Sequence, residues 1–168
     1  MDTKELRKEI TKEFGFPESF FEGFKTIAEL KNSCSGIPDV EGIYLVLRAA
    51  EKAPVIKSSS LGGYVHFPND SPCYSVDELE DNYIDGSHIL YIGKSTHIRK
   101  RIRSYMKFGK GEKASHGGGR AIWQLADADD LIVCWAATTI NAREFEKEMI
   151  KMYKSNHSGK RPFANMSD

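Results

Sequence analysis

The sequence predicts a small α+β domain of three strands with helices around them. Three features point there: an apolar run that begins with glycine, a second that ends with it, and a third rich in β-branched and aromatic residues. Segments of helical periodicity lie before, between and after these runs. At 168 residues the chain suits one domain, long enough to bury a core without staples. An apolar content of 40% with 11% aromatics excludes a disordered chain.

Two amphipathic helices are expected first, over 3–14 and 17–31. The second carries Phe20, Phe21, Phe24, Ile27, Ala28 and Leu30 close to helical spacing. A polar turn, SCSGIPDVEG, leads into the first strand, 42–49. A long polar stretch follows, with apolar islands at 63–67 and at Ile84; loops of this length inside compact domains tend to be functional. The second strand, 88–93, precedes a helix over 95–108 that Ser95 or Thr96 can cap. A glycine-rich loop, FGKGEKASHGGG, leads to a short helix at 120–126. The third strand spans 130–138, and a helix over 141–155 starts at Asn141. The chain thus divides into an N-terminal helical extension (1–40), an insertion (50–87) and a core made of 42–49 and 88–165.

No apolar run approaches the roughly 20 residues of a membrane helix. The charged start, MDTKELRKEI, lacks the apolar segment of a secretory signal. Cys34, Cys73 and Cys134 are too scattered for a disulfide framework or a zinc knuckle. A cytoplasmic protein with reduced thiols and no membrane partner is therefore expected, with Cys134 in the core. Net charge is zero, so no global field draws nucleic acid. The charges are nevertheless segregated. Residues 94–113 hold eight Lys or Arg against Glu112 alone, whereas 68–85 hold six acids and no base.

Helical phase identifies polar residues on apolar faces, each residue advancing about 100°. On the last helix Phe145, Met149, Met152, Ala142, Tyr153 and Ile150 share one arc. Glu146 falls between Tyr153 and Ile150, while Glu144 and Glu148 point away. A carboxylate so placed is costly unless it is paired or binds a cation, so Glu146 is either a salt-bridge partner or a metal ligand. On the helix after the second strand, Ile98, Ile102, Tyr105 and Met106 form the apolar stripe and Arg101 lies at its edge. Its fork of donors suits a phosphate oxygen. Arg99, Lys100, Arg103 and Lys107 lie on the far side, where they either meet phosphates or solvate the helix. His116, Arg120 and the glycines between them form either a phosphate approach or a connector. His66, His88, His97 and His157 lack metal-ligand spacing, and Trp123 and Trp135 suit the core.

These residues fit a family pattern. Gly42-Ile43-Tyr44 opens the first strand and Tyr91-Ile92-Gly93 closes the second. Lys94 follows directly, Arg101 lies eight positions past Gly93, and Tyr105 four further on. A helical glutamate then precedes Pro162-Phe163-Ala164-Asn165. This ordered set resembles the GIY-YIG nucleases over about residues 42–49 and 88–165. The resemblance implies a small antiparallel sheet flanked by helices and a metal-dependent endonuclease that hydrolyses phosphodiester bonds. Tyr44, Tyr91, Lys94, Gly93, Arg101, Tyr105, Glu146 and Asn165 would form its active site. Glu146 would hold one Mg²⁺ or Mn²⁺. Tyr44 or Tyr91 would be the general base, with Lys94 and Arg101 lowering its pKa. The implied partner is nucleic acid, in the first place double-stranded DNA, and a double-strand cut needs a homodimer or two sequential nicks. The alternative is a catalytically silent nucleic-acid-binding module on the same fold.

Overall fold

A run as apolar as GIYLVL is satisfied only between two layers. In a computed structural model, which describes residues 1–61, 73–114 and 117–167, β2 (Gly42–Leu47) is buried at every position. It pairs antiparallel with β3 (Ile89–Ser95) on one side and β4 (Ile132–Ala137) on the other. A further strand, β1 (Glu22–Thr26), pairs antiparallel with β4, giving the order β1-β4-β2-β3.

The α+β class and the antiparallel sheet are as expected, but the described residues form four strands rather than three. The extra strand lies in the segment expected as one helix over 17–31. Gly23 and Phe24 have φ of 93° and 53°, left-handed values that a right-handed helix does not accommodate. The backbone bulges there against β4, and Gly23 lies so close to Trp135 that a Cβ would fall 2.4 Å from its ring. Helix α2 (Ile27–Asn32) begins only after Thr26, whose side chain and that of Glu29 cap each other's backbone amides. Of the phenylalanines that mimic helical spacing, Phe20 and Phe21 join an aromatic cluster instead, and Phe24 lies under the Arg7 guanidinium. Phe16 stacks on Phe20 at 4.5 Å and on Phe145 at 5.5 Å between ring centroids.

Helix α1 (Thr3–Phe14) has the expected span, opened by an Asp2–Glu5 capping box and closed at Gly15. Helix α3 (Val76–Asn82) lies in the insertion, where acidic composition hides its short apolar face from a periodicity reading. Helix α4 (Ile98–Gly109) starts later than expected. Ser95 still belongs to β3 and its hydroxyl accepts from His97 N at 2.9 Å, so neither Ser95 nor Thr96 is the cap. Helix α5 (Ala142–Asn156) starts at Asn141, whose side chain accepts from the amides of Arg143 and Glu144. The short helix after the glycines is a 3₁₀ segment, Arg120–Gln124.

Alternation along the strands divides the core in two. Ile43, Leu45, Leu47, Ile92 and Cys134 pack with Leu6 and Ile10 of α1 and Met149 and Ile150 of α5. Tyr44, Val46, Val133 and Trp135 pack with α2, α4 and the 3₁₀ segment. Burial pushes the thiols of Cys34 and Cys134 up. No helix among the described residues is long and apolar enough to cross a membrane.

β3 is the sheet edge on which the candidate site is built. A bulge pairs Val46 with Tyr91 and Leu47 with Ile89, so Leu90 and Tyr91 both join the α4 side. The C-terminal tail covers the open edge. Ala164 N donates to Leu90 O at 2.8 Å. The Asn165 side chain accepts from Ile92 N at 2.9 Å and donates to Ile92 O at 3.0 Å. A side-chain amide thus takes the part of a neighbouring strand and leaves no open ladder for another chain at that residue.

Candidate active site

Tyr44 on β2 stands directly across from Gly93 on β3, so the insertion leaves the two strands paired. The glycine is required by close approach: a Cβ there would lie 2.3 Å from Tyr44 Cζ. The ring of Tyr44 therefore lies over the second strand and meets Tyr91 at 6.0 Å between centroids. Tyr105 from α4 completes a triangle, 6.3 Å from Tyr44 and 5.9 Å from Tyr91.

The glycine loop packs onto these rings. Tyr105 donates its hydroxyl proton to Gly119 O at 2.5 Å. Cβ atoms on Gly118 and Gly119 would lie 2.5 Å from the Tyr91 hydroxyl and 2.4 Å from that of Tyr105. Gly119 also has φ of 70°, a value that favours glycine. The loop is thus a fitted wall of the site. His116 lies outside the described residues.

Beside the triangle is a cavity of about 360 Å³, lined by Tyr91, Lys94, Arg101, Gly117–Gly119, Glu146, Tyr74 and the tail residues Ala164–Ser167. Arg101 reaches it from α4 and Glu146 from α5, the two helices overhanging β3 from opposite faces. Glu146 has a side chain 15% exposed, and Lys94 Nζ lies 3.4 Å from its Oε1. Glu144 and Glu148 are exposed, as their helical phase requires. Tyr44 is fully buried and does not line the cavity; Tyr91, 8% exposed, does.

The electrostatics run against one expectation. The tyrosine pKa values are raised, not lowered. Burial takes the Tyr44 phenol up to about 12 and outweighs the Arg101 guanidinium that faces it. Burial, followed by Tyr44 and Glu146, holds Tyr91 well above the ordinary phenol range. Tyr105 is raised by burial and by its two tyrosine neighbours. Glu146 is also raised, because burial outweighs Lys94, Arg101 and Arg143. The Tyr44 hydroxyl is buried without a well-aligned hydrogen bond among the described residues, Arg101 and Tyr91 being the polar groups that face it.

A divalent cation fits this donor set as a one-carboxylate site. No group of three His, Cys, Asp or Glu side chains among the described residues could hold a metal, so the protein could supply Glu146 and leave the other positions to water and phosphate. Mg²⁺ is commonly held in that way. Lys94 is then the counter-charge of Glu146 in the substrate-free protein.

The remaining basic residues separate. Lys100, Arg103 and Lys107 are exposed. Arg99, grouped with them by sequence, is half-buried and its Nε donates to Ile37 O at 2.5 Å. Arg120 lies beside Tyr74, its Nη2 donating to the Tyr74 hydroxyl at 3.3 Å. Tyr74 and Gln124 carry no sequence motif. For Gln124 the available signal is one polar residue within the apolar run AIWQL.

Searches of curated proteins and of solved structures return no match. A family model described as the GIY-YIG catalytic domain matches residues 73–160, about half of the chain, from the end of the insertion through α5. That span holds Tyr91, Gly93, Arg101, Tyr105 and Glu146, and the pairing of Tyr44 with Gly93 joins the preceding strand to it. With that match and that pairing, the chain belongs to the GIY-YIG nuclease family.

Proposed function

We propose that the protein is a metal-dependent endonuclease acting on DNA, with its chemistry in the cavity at the edge of β3. The observation that carries this reading is Glu146, a shielded carboxylate that shares one cavity with Arg101, Lys94 and Tyr91. Glu144 and Glu148 on the same helix lie in water, whereas Glu146 is turned into the cavity beside Lys94, a partner 39% exposed and able to give way to a metal ion. Bound at Glu146, Mg²⁺ or Mn²⁺ would polarise the phosphate and neutralise the leaving oxygen.

The protein's own groups supply the rest. Arg101 holds the non-bridging oxygens with its planar fork. Tyr91, the tyrosine of the first strand pair that lines the cavity, takes the proton of the attacking water. It can do so only as a phenolate, and its raised pKa in the substrate-free protein means that added positive charge must first enter the site. Tyr44 stands behind Tyr91 with its hydroxyl towards Arg101. A buried phenol without an aligned partner costs about 1–3 kcal/mol, which phenylalanine would avoid; this supports a role for the oxygen. Tyr105 holds the glycine loop, and Asn165 holds β3. Lys100, Arg103 and Lys107 attract the backbone from outside the site. One such site nicks one strand, so a double-strand cut needs two protomers or two encounters.

The test is cleavage of supercoiled plasmid with Mg²⁺, Mn²⁺ or chelator, by the wild-type protein and Glu146→Ala. Wild type is expected to nick only with metal. The variant should lose at least about 10³-fold in rate and keep its circular-dichroism spectrum. Undiminished cutting by Glu146→Ala would remove the mechanism. Binding without cutting by the wild type would leave a nucleic-acid-binding module.

A further inference from the structure

Among the described residues of the insertion, Tyr74 reaches the cavity, which it lines together with Tyr91, Lys94, Arg101 and Glu146. Its backbone is fixed by Gln124, which is 1% exposed: Oε1 accepts from Tyr74 N at 3.0 Å and Nε2 donates to Tyr74 O at 2.9 Å. The same Nε2 donates to Lys57 O at 3.0 Å. One buried amide thus ties the early part of the insertion to its late part and fixes where Tyr74 stands. A buried amide is tolerated when its hydrogen-bonding capacity is filled, and a filled network of this kind is rigid.

The polarity at the ring tip is also fixed. Arg120 Nη2 donates to the Tyr74 oxygen at 3.3 Å, and the guanidinium carbon lies 5.4 Å from the ring centroid. A guanidinium has no acceptor, so the phenol proton is not used in that contact and is available to the cavity. Among the described residues, the other lining side chains include the cations Lys94 and Arg101 against the one carboxylate of Glu146, while Asn165 is committed to Ile92. Donors outnumber acceptors, so the group that fits is rich in acceptor oxygens.

We propose that Tyr74 is a substrate-binding residue supplied by the insertion, its hydroxyl donating to a phosphate oxygen next to the bond being cut. This rests on the nuclease reading above. Arg120 acts through Tyr74 by orienting and polarising its hydroxyl.

The test is Tyr74→Phe, which removes one oxygen and leaves the ring and the backbone bonds to Gln124. Affinity for a labelled DNA duplex is read by fluorescence anisotropy in a Glu146→Ala background, and cleavage by steady-state kinetics with Glu146 intact. Kd and KM should each rise about tenfold, the scale of a hydrogen bond to a charged acceptor. Turnover at saturation should stay within about twofold, and the slope of log Kd against log salt should not change, because no charge is removed. The melting temperature should match that of the wild type. Unchanged Kd and KM in Tyr74→Phe would overturn the proposal, as would a fall in turnover alone. Tyr74→Ala removes the ring as well, and full affinity there would overturn it equally. Wild-type protein that neither binds nor cuts nucleic acid removes this inference together with the nuclease reading. A wild type that cuts, beside a Tyr74→Phe variant of equal KM, removes this inference alone.

Discussion

Lys100 and Arg101 are adjacent in sequence, carry the same charge and belong to different regions of the molecule. Lys100 lies with Arg103 and Lys107 on the exposed face of α4, while Arg101 is half-buried at the rim of the tyrosine cavity. About 100° of helical rotation separates them. A cation on the outer face is screened by solvent, and its value lies in the net attraction it adds. At the rim, geometry matters as much as charge, because Glu146, Tyr44 and Tyr91 all interact electrostatically with one guanidinium.

The sharpest way to break this contrast is Arg101→Lys, which keeps the charge and removes the fork. If the rim works by directed contacts, the cleavage rate falls by about 10²-fold, whereas Lys100→Arg leaves it unchanged. Plasmid nicking under saturating DNA reads both. Near-wild-type turnover in Arg101→Lys would mean that charge alone matters at the rim, and the two regions would then differ only in degree.

Much of this contrast is legible in the sequence, because helical phase is a local property. Glu146 and Arg101 separate from their charged neighbours by rotation alone, and Tyr44 and Tyr91 are marked by their flanking glycines. What local pattern cannot carry is long-range contact. Tyr74 enters the cavity because Gln124, fifty positions later, clasps its peptide. Nothing in the polar insertion signals that. Asn165 is visible as a motif residue, but its clasp on Ile92 follows only from β3 being an edge strand. The helix expected over 17–31 fails for a related reason. Six apolar side chains at near-helical spacing are as compatible with a bulged strand and a stack on Phe145, and the left-handed backbone at Gly23 and Phe24 decides between them. The lowered tyrosine pKa expected from nearby cations also fails, because sequence shows the charges and not the depth of burial that outweighs them.

The same contrast recurs among the carboxylates of α5 and gives a smaller, thermodynamic effect. Burial holds the Glu146 carboxyl above its ordinary range despite Lys94, Arg101 and Arg143. Folding therefore favours the protonated acid. That contribution is complete below the unfolded carboxyl's pKa, near about 4.3, and is lost as pH rises through the folded value. At neutral pH the ionised group is a net cost. Glu146→Gln should abolish cleavage and raise Tm at pH 7, because the amide carries no charge to desolvate. Below pH about 4 the two proteins should melt together. Thermal melts from pH 3.5 to 8 check this. A lower Tm for the variant at pH 7 would mean that the pair with Lys94 outweighs burial, and Glu146 would then resemble the surface acids beside it.

The outer face carries the smallest expected effect and the clearest signature. Replacing both Lys100 and Lys107 by alanine removes two charges from exposed positions without touching the core. If these residues sit over phosphates, each releases about one counterion on binding, so the slope of log Kd against log salt should become shallower by about 2. Affinity near 0.1 M salt should fall about tenfold, while turnover at saturating DNA stays as it is. That combination cannot arise from damage at the cavity, since a rim defect lowers turnover at every salt concentration. An unchanged slope would instead assign Lys100 and Lys107 to solvation of α4, and the duplex would have to approach the cavity over another surface.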